Sequence, residues 1–433
     1  MFDLPKTLQV LRFGQRQAEF VLRGRREFCD VFRFKGIIAG RPVVTGHPDH
    51  VKSLFTAKPE LAPTLTAESP LRPIVGKDSV LTAQGPRHMR QRKLLLPSFH
   101  GESIARYMSA IEHAIDAEID KWPVGKEIAL TGLMQKVTLD VIMSGIFGIE
   151  GTPERGTPEA HLAAVTTKLT ELSTTPVAKL SEYVNVGSEE ARGIQKYALA
   201  QLDKPVYRMI RRRREAEDLE ERTDIMSMLM RARTEEGEAL TDQELRDELL
   251  TLVLAGHETT ANSLAWAWER LTRTPDAYDE LYDAVRNNRE DKADQIEYVI
   301  EETMRSRPVI PIIGRRVSVP WQLGEYGVPA GTPISMSILL IHHREDLYPE
   351  PWEFKPQRWV GKKPGTYEWI PFGGGTRRCL GASLAMAEMR VVLEHMANRL
   401  EIEADRPEAE HVQHRNVTMI PKRGARVVIR SKR

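Results

Sequence analysis

Between Leu240 and Pro275 the chain sustains one helical pattern for about 32 residues, roughly 48 Å at 1.5 Å per residue. A helix of that length crosses a whole domain, and the rest of the fold must pack around it. Its start is well marked. Thr241 and Glu244 have the spacing of a capping box, and Leu240 with Leu245 fits the accompanying hydrophobic staple. Pro275 should end it, because proline lacks the N–H that the next turn needs. The centre reads Ala255-Gly256-His257-Glu258-Thr259-Thr260. A glycine inside a helix costs about 1 kcal/mol relative to alanine. A carboxylate and two β-branched hydroxyl residues in a buried helix add further cost. Two readings stay open here. In one, Gly256 lets a neighbouring helix come close while Glu258 finds an arginine. In the other, Gly256 makes room for a flat ligand and the hydroxyls bend the helix into a polar notch. A zinc-protease reading fails, since HExxH needs histidine at position 261 and the chain has Ala261.

The segment from Phe372 to Gly381, FGGGTRRCLG, runs into a helix expected from about Ala382 to Leu400. It matches neither GxxxxGK[ST] nor GxGxxG, which excludes the phosphate-loop readings. One cysteine, Cys379, sits in a glycine-rich turn, at a helix N-terminus, after two arginines. Each feature favours thiolate over thiol, and open backbone N–H groups can hydrogen-bond the sulfur. A lone thiolate with such hydrogen bonds suits haem iron. The plainer reading is a buried cysteine without a chemical role, and that is the expectation for Cys29.

Phe372, Gly375, Arg377, Cys379 and Gly381 resemble the haem-binding signature FxxGxRxCxG of the cytochrome P450 family. Further resemblances follow in the family's order. The stretch from Ala255 to Thr260 is similar to its oxygen-activation motif, and Glu302 to Arg305 to its ExxR motif. Phe354 to Trp359 resembles its Phe-x-Pro-Glu-Arg-Phe segment, with Gln357 and Trp359 as departures. His88 and Arg92 resemble its haem-propionate motif. Similarity covers nearly the whole chain and is strongest from Thr241 to Leu400. It implies a mainly α fold with minor β. The cofactor would be haem b (iron protoporphyrin IX), sandwiched between the long central helix and the cysteine-loop helix. It also implies roles. Cys379 is the axial iron ligand, shielded by Phe372, and Ala255 lies against the cofactor. His88, Arg92, Arg377 and one of Arg315 and Arg316 meet the propionates. The offset to the Tyr326-Gly327-Val328-Pro329 turn favours Arg315. Glu258 and Thr259 form the acid–alcohol pair that delivers protons for oxygen activation, and Glu302, Arg305 and Arg358 brace the cysteine loop. The implied activity is hydroxylation of an apolar organic substrate with one atom of O2. The rivals are a peroxide-using peroxygenase or isomerase and a non-enzymatic haem sensor.

Composition bounds the alternatives. With 62 basic and 61 acidic residues the formal charge is +1, which excludes a general nucleic-acid binder. Two cysteines cannot form a disulfide framework, a four-cysteine zinc site or an iron–sulfur cluster. No apolar run nears the roughly 18 residues of a membrane span, and the N-terminus lacks a signal-peptide core, so the expected address is the cytoplasm. No linker or repeat divides the chain, so residues 1–433 read as one domain. Strands are expected at about 30–46, around Phe32 to Phe34, Ile37, Ile38, Val43 and Val44, with turns at Gly36, Gly40 and Pro42. Helix dominates from about Asp49 to Arg307, including a core from about 86, and again at about 380–400. A mixed β segment spans about 308–340, and strands return from Val417. Arg211 to Arg214, followed by Glu215 and Glu217 at i,i+4 spacing, reads as a solvated helix face. His342 and His343 look like an ordinary turn rather than metal ligands.

No flavin or nicotinamide domain is recognisable, so electrons would come from a ferredoxin or flavodoxin with its reductase. Arg87, Arg90 and Lys93 read either as a basic docking patch or as plain solvated surface. The resemblance places Pro70 to Ser79, Leu250 to Leu254, Val309 to Ile313 and Val417 to Ile420 around the substrate. These are mostly apolar segments, with Arg72, Lys77 and Asp78 as exceptions.

Overall fold

The capping box forms as the sequence predicts. Glu244 N–H donates to Thr241 Oγ1 at 3.2 Å, and Thr241 N–H donates to Glu244 Oε2 at 2.9 Å. Leu240 and Leu245 are both buried beside it. The computed structural model describes residues 9, 12–13, 16–35, 41–69, 71–99, 101–149 and 151–433. The expected strand positions Ile37 and Ile38, and the turns at Gly36 and Gly40, lie outside the described residues.

The helices used below are α1 (Gln17–Phe28), α2 (Gly85–Leu95), α3 (Glu102–Ile119), α4 (Leu130–Phe147), α5 (Pro158–Leu172), α6 (Ile194–Arg214), α7 (Asp242–Leu271), α8 (Pro275–Arg286), α9 (Lys292–Ser306) and α10 (Ala382–Arg399). The central helix α7 stops before Pro275, because Pro275 already opens α8. Its 30 residues are buried almost all round, including Trp266 and Trp268. It packs on α4, α6, α9 and α10. A Cβ at Gly256 would lie 2.6 Å from Ile142 Cδ1 on α4. Thr138 Oγ1 on α4 donates to the His257 carbonyl at 2.8 Å. Gly256 therefore lets α4 approach α7 closely, as the first reading expects.

The sheets are small. β1 (Val31–Arg33), β2 (Val43–Thr45), β4 (Ile312–Arg316) and β7 (Pro333–Ser337) form a four-stranded sheet in the order β1-β2-β7-β4. Only the β2–β7 pair is parallel. β3 (Glu127–Ala129) and β8 (Leu400–Ala404) flank β11 (Arg426–Lys432). β5 (Trp321–Leu323) pairs with β6 (Tyr326–Val328), and β9 (Val412–Arg415) with β10 (Thr418–Pro421). Three of these strands depart from the expectation. β3 interrupts the predicted helical region, and β8 and β9 precede Val417.

Two further expectations are corrected. Helix α6 ends at Arg214, so Glu215 caps it and Glu217 lies beyond it. Arg213 is buried, not solvated. It donates to both oxygens of Asp224 and to the Phe147 carbonyl. Arg212 pairs with Glu159 and Arg214 with Asp242. Cys29 is exposed at the end of α1, with φ 67°, rather than buried.

Candidate functional site

The cysteine loop is tied at both ends. Gly373 N–H donates to the Ile370 carbonyl at 3.0 Å, and Cys379 N–H donates to the Phe372 carbonyl at 2.9 Å. Phe372 stands edge-on to Trp369, with ring centroids 6.1 Å apart. Gly373 and Gly375 take positive φ values of 66° and 62°. A side chain at Gly375 would also collide with the Phe55 backbone. Cys379 is accessible on one side yet lies deep in the protein mass. Burial raises its thiol above the ordinary value, against the Gly381 N–H, Arg378 and Arg92, which lower it. The turn alone therefore does not secure the thiolate expected from sequence, because desolvation is the larger effect.

Four basic side chains converge behind this loop. His88 and Arg92 share one face of α2, Arg315 comes from β4, and Arg377 from the loop itself. Their mutual influence marks the convergence. Burial depresses His88 to about 4, and Arg377, Arg92 and Arg315 push the same way. Arg377 is lowered to about 10 by burial, then by Arg315 and Arg92. Arg315 is lowered to about 10 by burial alone. Among the described residues no carboxylate is paired with His88, Arg315 or Arg377, whereas other arginines of this chain are commonly paired with one. Arg92 Nη1 donates to the Arg378 carbonyl at 2.8 Å. Arg377 donates to the carbonyls of Val80, Leu81 and Ala83. Arg316 points elsewhere and is satisfied by Glu68 and the Gly331 carbonyl. A group of partly and fully buried arginines without an acid suits a ligand that brings carboxylates of its own.

The loop that receives Arg377 is latched to α7 by two buried carboxylates. Asp247 accepts the Asp78 N–H at 3.2 Å, and Glu248 accepts the Val80 N–H at 2.8 Å. Burial raises both carboxyls. Neither contact was legible beforehand, because nothing in a helix sequence names the distant amide it will cap.

On α7, Ala255 and Thr259 share an accessible face. Thr259 Oγ1 donates to the Ala255 carbonyl at 2.7 Å. Glu258 turns the other way. Its Oε1 lies 3.0 Å from Thr418 Oγ1 and 3.6 Å from Arg415 Nη1, both on the β9–β10 hairpin. Thr418 Oγ1 also donates to the Arg415 carbonyl at 2.7 Å. A hydroxyl has one proton, and a carbonyl only accepts. That single proton is therefore divided between the Arg415 carbonyl and Glu258 Oε1. Burial raises that carboxyl, opposed by Arg415 and Thr418. The hairpin is anchored one residue on, where Met419 N–H donates to Val309 O and Met419 O accepts from Trp266 Nε1.

Glu302, Arg305 and Arg358 form a closed cluster. Arg305 donates to both Glu302 oxygens at 2.8 Å, and Arg358 Nε donates to Glu302 Oε1 at 3.1 Å. Some expected lining residues fall elsewhere. Leu250 and Val253 are fully buried in the core, and Pro70 lies outside the described residues. Arg72 is paired with Glu189. Arg87, Arg90 and Lys93 pair with Asp78, Glu244 and Glu235, so that face is charge-balanced rather than a basic patch. Among the described residues no helix is long and apolar enough to cross a membrane.

The sequence profile described as Cytochrome P450 matches residues 6–428. A protein named putative cytochrome P450 138 from Mycobacterium bovis is 34% identical over 98% of this chain and 95% of its own length. Putative cytochrome P450 137 from Mycobacterium tuberculosis is 35% identical over 100% of this chain and 89% of its own. Among solved structures, retinoic acid-bound cyanobacterial CYP120A1 superposes with a TM-score of 0.81 at 20% identity, covering 98% of this chain and 96% of that one. The cytochrome P450DA heme domain gives 0.78 at 21% identity, covering 96% and 94%.

Proposed function

Because the chain belongs to the cytochrome P450 family of haem-dependent monooxygenases, we propose a division of labour among its own residues. Cys379 would hold the haem iron through its sulfur. Arg92, Arg315 and Arg377, with His88 as a neutral donor, hold the propionates of a b-type haem. The observation that carries this reading is the cluster of one buried and two half-buried arginines around the buried His88, with no carboxylate paired to them among the described residues. Two propionates would offset two of the three arginine charges. When bound, the haem supplies the iron at which O2 is activated for transfer of one oxygen atom to a C–H bond.

The protein's task is to orient, to exclude water and to move protons. Gly381 N–H, Arg92 and Arg378 partly offset the burial that disfavours charge at Cys379 Sγ. Glu258, gripped by Thr418 Oγ1 and Arg415 while burial raises its carboxyl, is the group that takes up and passes on the proton. Thr259 Oγ1 gives up its bond to the Ala255 carbonyl to relay that proton on the accessible face of α7. We place the substrate among apolar organic molecules, the electron source in a separate ferredoxin or flavodoxin with its reductase, and the enzyme in the cytoplasm, where a reduced thiol persists. Oxygen-18 labelling with a reconstituted reductase chain tests the reaction. Product should gain one atom from labelled O2. Product oxygen derived from peroxide, with no need of reductase, would overturn the monooxygenase assignment.

A further inference from the structure

His342 and His343 are adjacent, buried and outside the machinery described so far. His343 is held locally, through one ring nitrogen. Its Nδ1 bonds the Leu339 carbonyl at 2.9 Å, and its ring lies against Trp352. His342 is placed differently. Its carbonyl accepts from Arg305 Nη1 at 2.7 Å, and its ring Nε2 accepts the Ile370 N–H at 2.9 Å. An accepting Nε2 has to be unprotonated, which puts the ring proton on Nδ1. Nδ1 faces the Met304 and Arg305 carbonyls at the end of α9 without a regular hydrogen bond. Burial, and then the Arg305 charge, depress the ring to about 3, so it stays neutral.

Ile370 is where the chain enters the cysteine loop. Its carbonyl accepts from Gly373, and Phe372 two residues on accepts from Cys379. The preceding Trp369 is held by Nε1 donating to the Glu301 carbonyl at 3.1 Å. Two consecutive residues are thus fixed to α9, one directly and one through His342. Ile370 is itself buried, so without the ring its N–H would lack an acceptor.

We propose that His342 is a positioning residue. Its ring couples the Glu302–Arg305 brace to the entry of the cysteine loop and so sets the approach of Cys379. This rests on the reading of Cys379 as the iron ligand. Leucine at 342 fills the space without an acceptor, whereas glutamine restores one.

The test is hydrogen exchange at the Ile370 amide of the haem-containing protein, together with the carbon monoxide difference spectrum. In the wild type the amide should be as protected as those of α9. His342→Leu should speed its exchange about tenfold, the scale of one buried hydrogen bond. It should also raise the fraction of complex absorbing at the ordinary haem–CO position. His342→Gln should reverse both changes. Wild-type exchange and spectrum in His342→Leu would overturn the proposal, as would a glutamine variant no better than leucine. If the leucine variant does not fold, rapid exchange of Ile370 in the wild type still overturns it. Failure of the Cys379 assignment is distinguishable, because it would remove the thiolate band from the wild type while leaving Ile370 protected.

Discussion

Arg305 is fully buried, and its guanidinium serves several acceptors at once. It donates to both oxygens of Glu302 at 2.8 Å, to His342 O at 2.7 Å, to Pro351 O at 2.9 Å and to Glu353 O at 3.2 Å. Arg305→Leu removes all of these. Glu302 keeps Arg358 and the Lys355 N–H, so its charge is not stripped bare. The three carbonyls, however, lose a buried donor. Breaking a buried pair from one side costs about 3–5 kcal/mol, and the orphaned carbonyls push the figure to the upper part of that range. Against a total of roughly 5–15 kcal/mol, that is a large fraction. Arg358→Leu leaves the Glu302–Arg305 pair whole, and its side chain is 11% exposed, so about 1–2 kcal/mol is expected. Melting is a poor assay. At roughly 2.1 cal/mol/K per residue over 433 residues, a loss of about 4 kcal/mol moves Tm by only about 4 °C. The urea midpoint, followed with haem content, reads the effect directly. A cost below about 1 kcal/mol for Arg305→Leu, or an equal cost for Arg358→Leu, would refute the reasoning.

Thr259→Ala should keep haem and substrate binding but divert reducing equivalents to peroxide; full coupling to product would remove Thr259 from the relay. Arg315→Gln should weaken haem retention while Arg316→Gln, which breaks the Glu68 pair and the bond to the Gly331 carbonyl, leaves it unchanged; haem transfer to apomyoglobin measures both. Glu388 is buried on α10, its Oε1 lacks a partner, and burial raises its carboxyl to about 8. With the folded value above the unfolded one, its stabilising contribution is complete below about 4.5 and is lost as pH rises toward about 8. Glu388→Gln should therefore gain about 1–3 kcal/mol at pH 7 to 8 and nothing near pH 4.5, as read from urea midpoints across that range.

Local signals were legible because their physics is local. The Thr241–Glu244 box, the start of α10 after Gly381 and the ExxR pair all lie within one helical turn or cap. Strand β8 also carried a local sign, the alternation of Leu400, Glu401, Ile402 and Glu403, but the preceding helical pattern masked it. Arg213 misled for the opposite reason. Its neighbours suggest a solvated face, while its true partner Asp224 lies past the end of the helix. The site's motif residues were readable, yet their supports were not. Thr418 and Arg415 against Glu258, Glu248 against Val80, and His342 against Ile370 join residues far apart in sequence. No periodicity encodes such pairings. Gly256 shows the same limit, because only the position of Ile142 on a distant helix reveals the close packing there.

The central claim is that Cys379 ligates haem as a thiolate, held by a loop braced through Arg305 and His342. Its most direct test is the carbon monoxide difference spectrum of the dithionite-reduced purified protein. A strongly red-shifted Soret band is predicted, lost in Cys379→Ser. A band at the ordinary haem–CO position in fresh wild-type protein, or well-folded protein without haem, would contradict it.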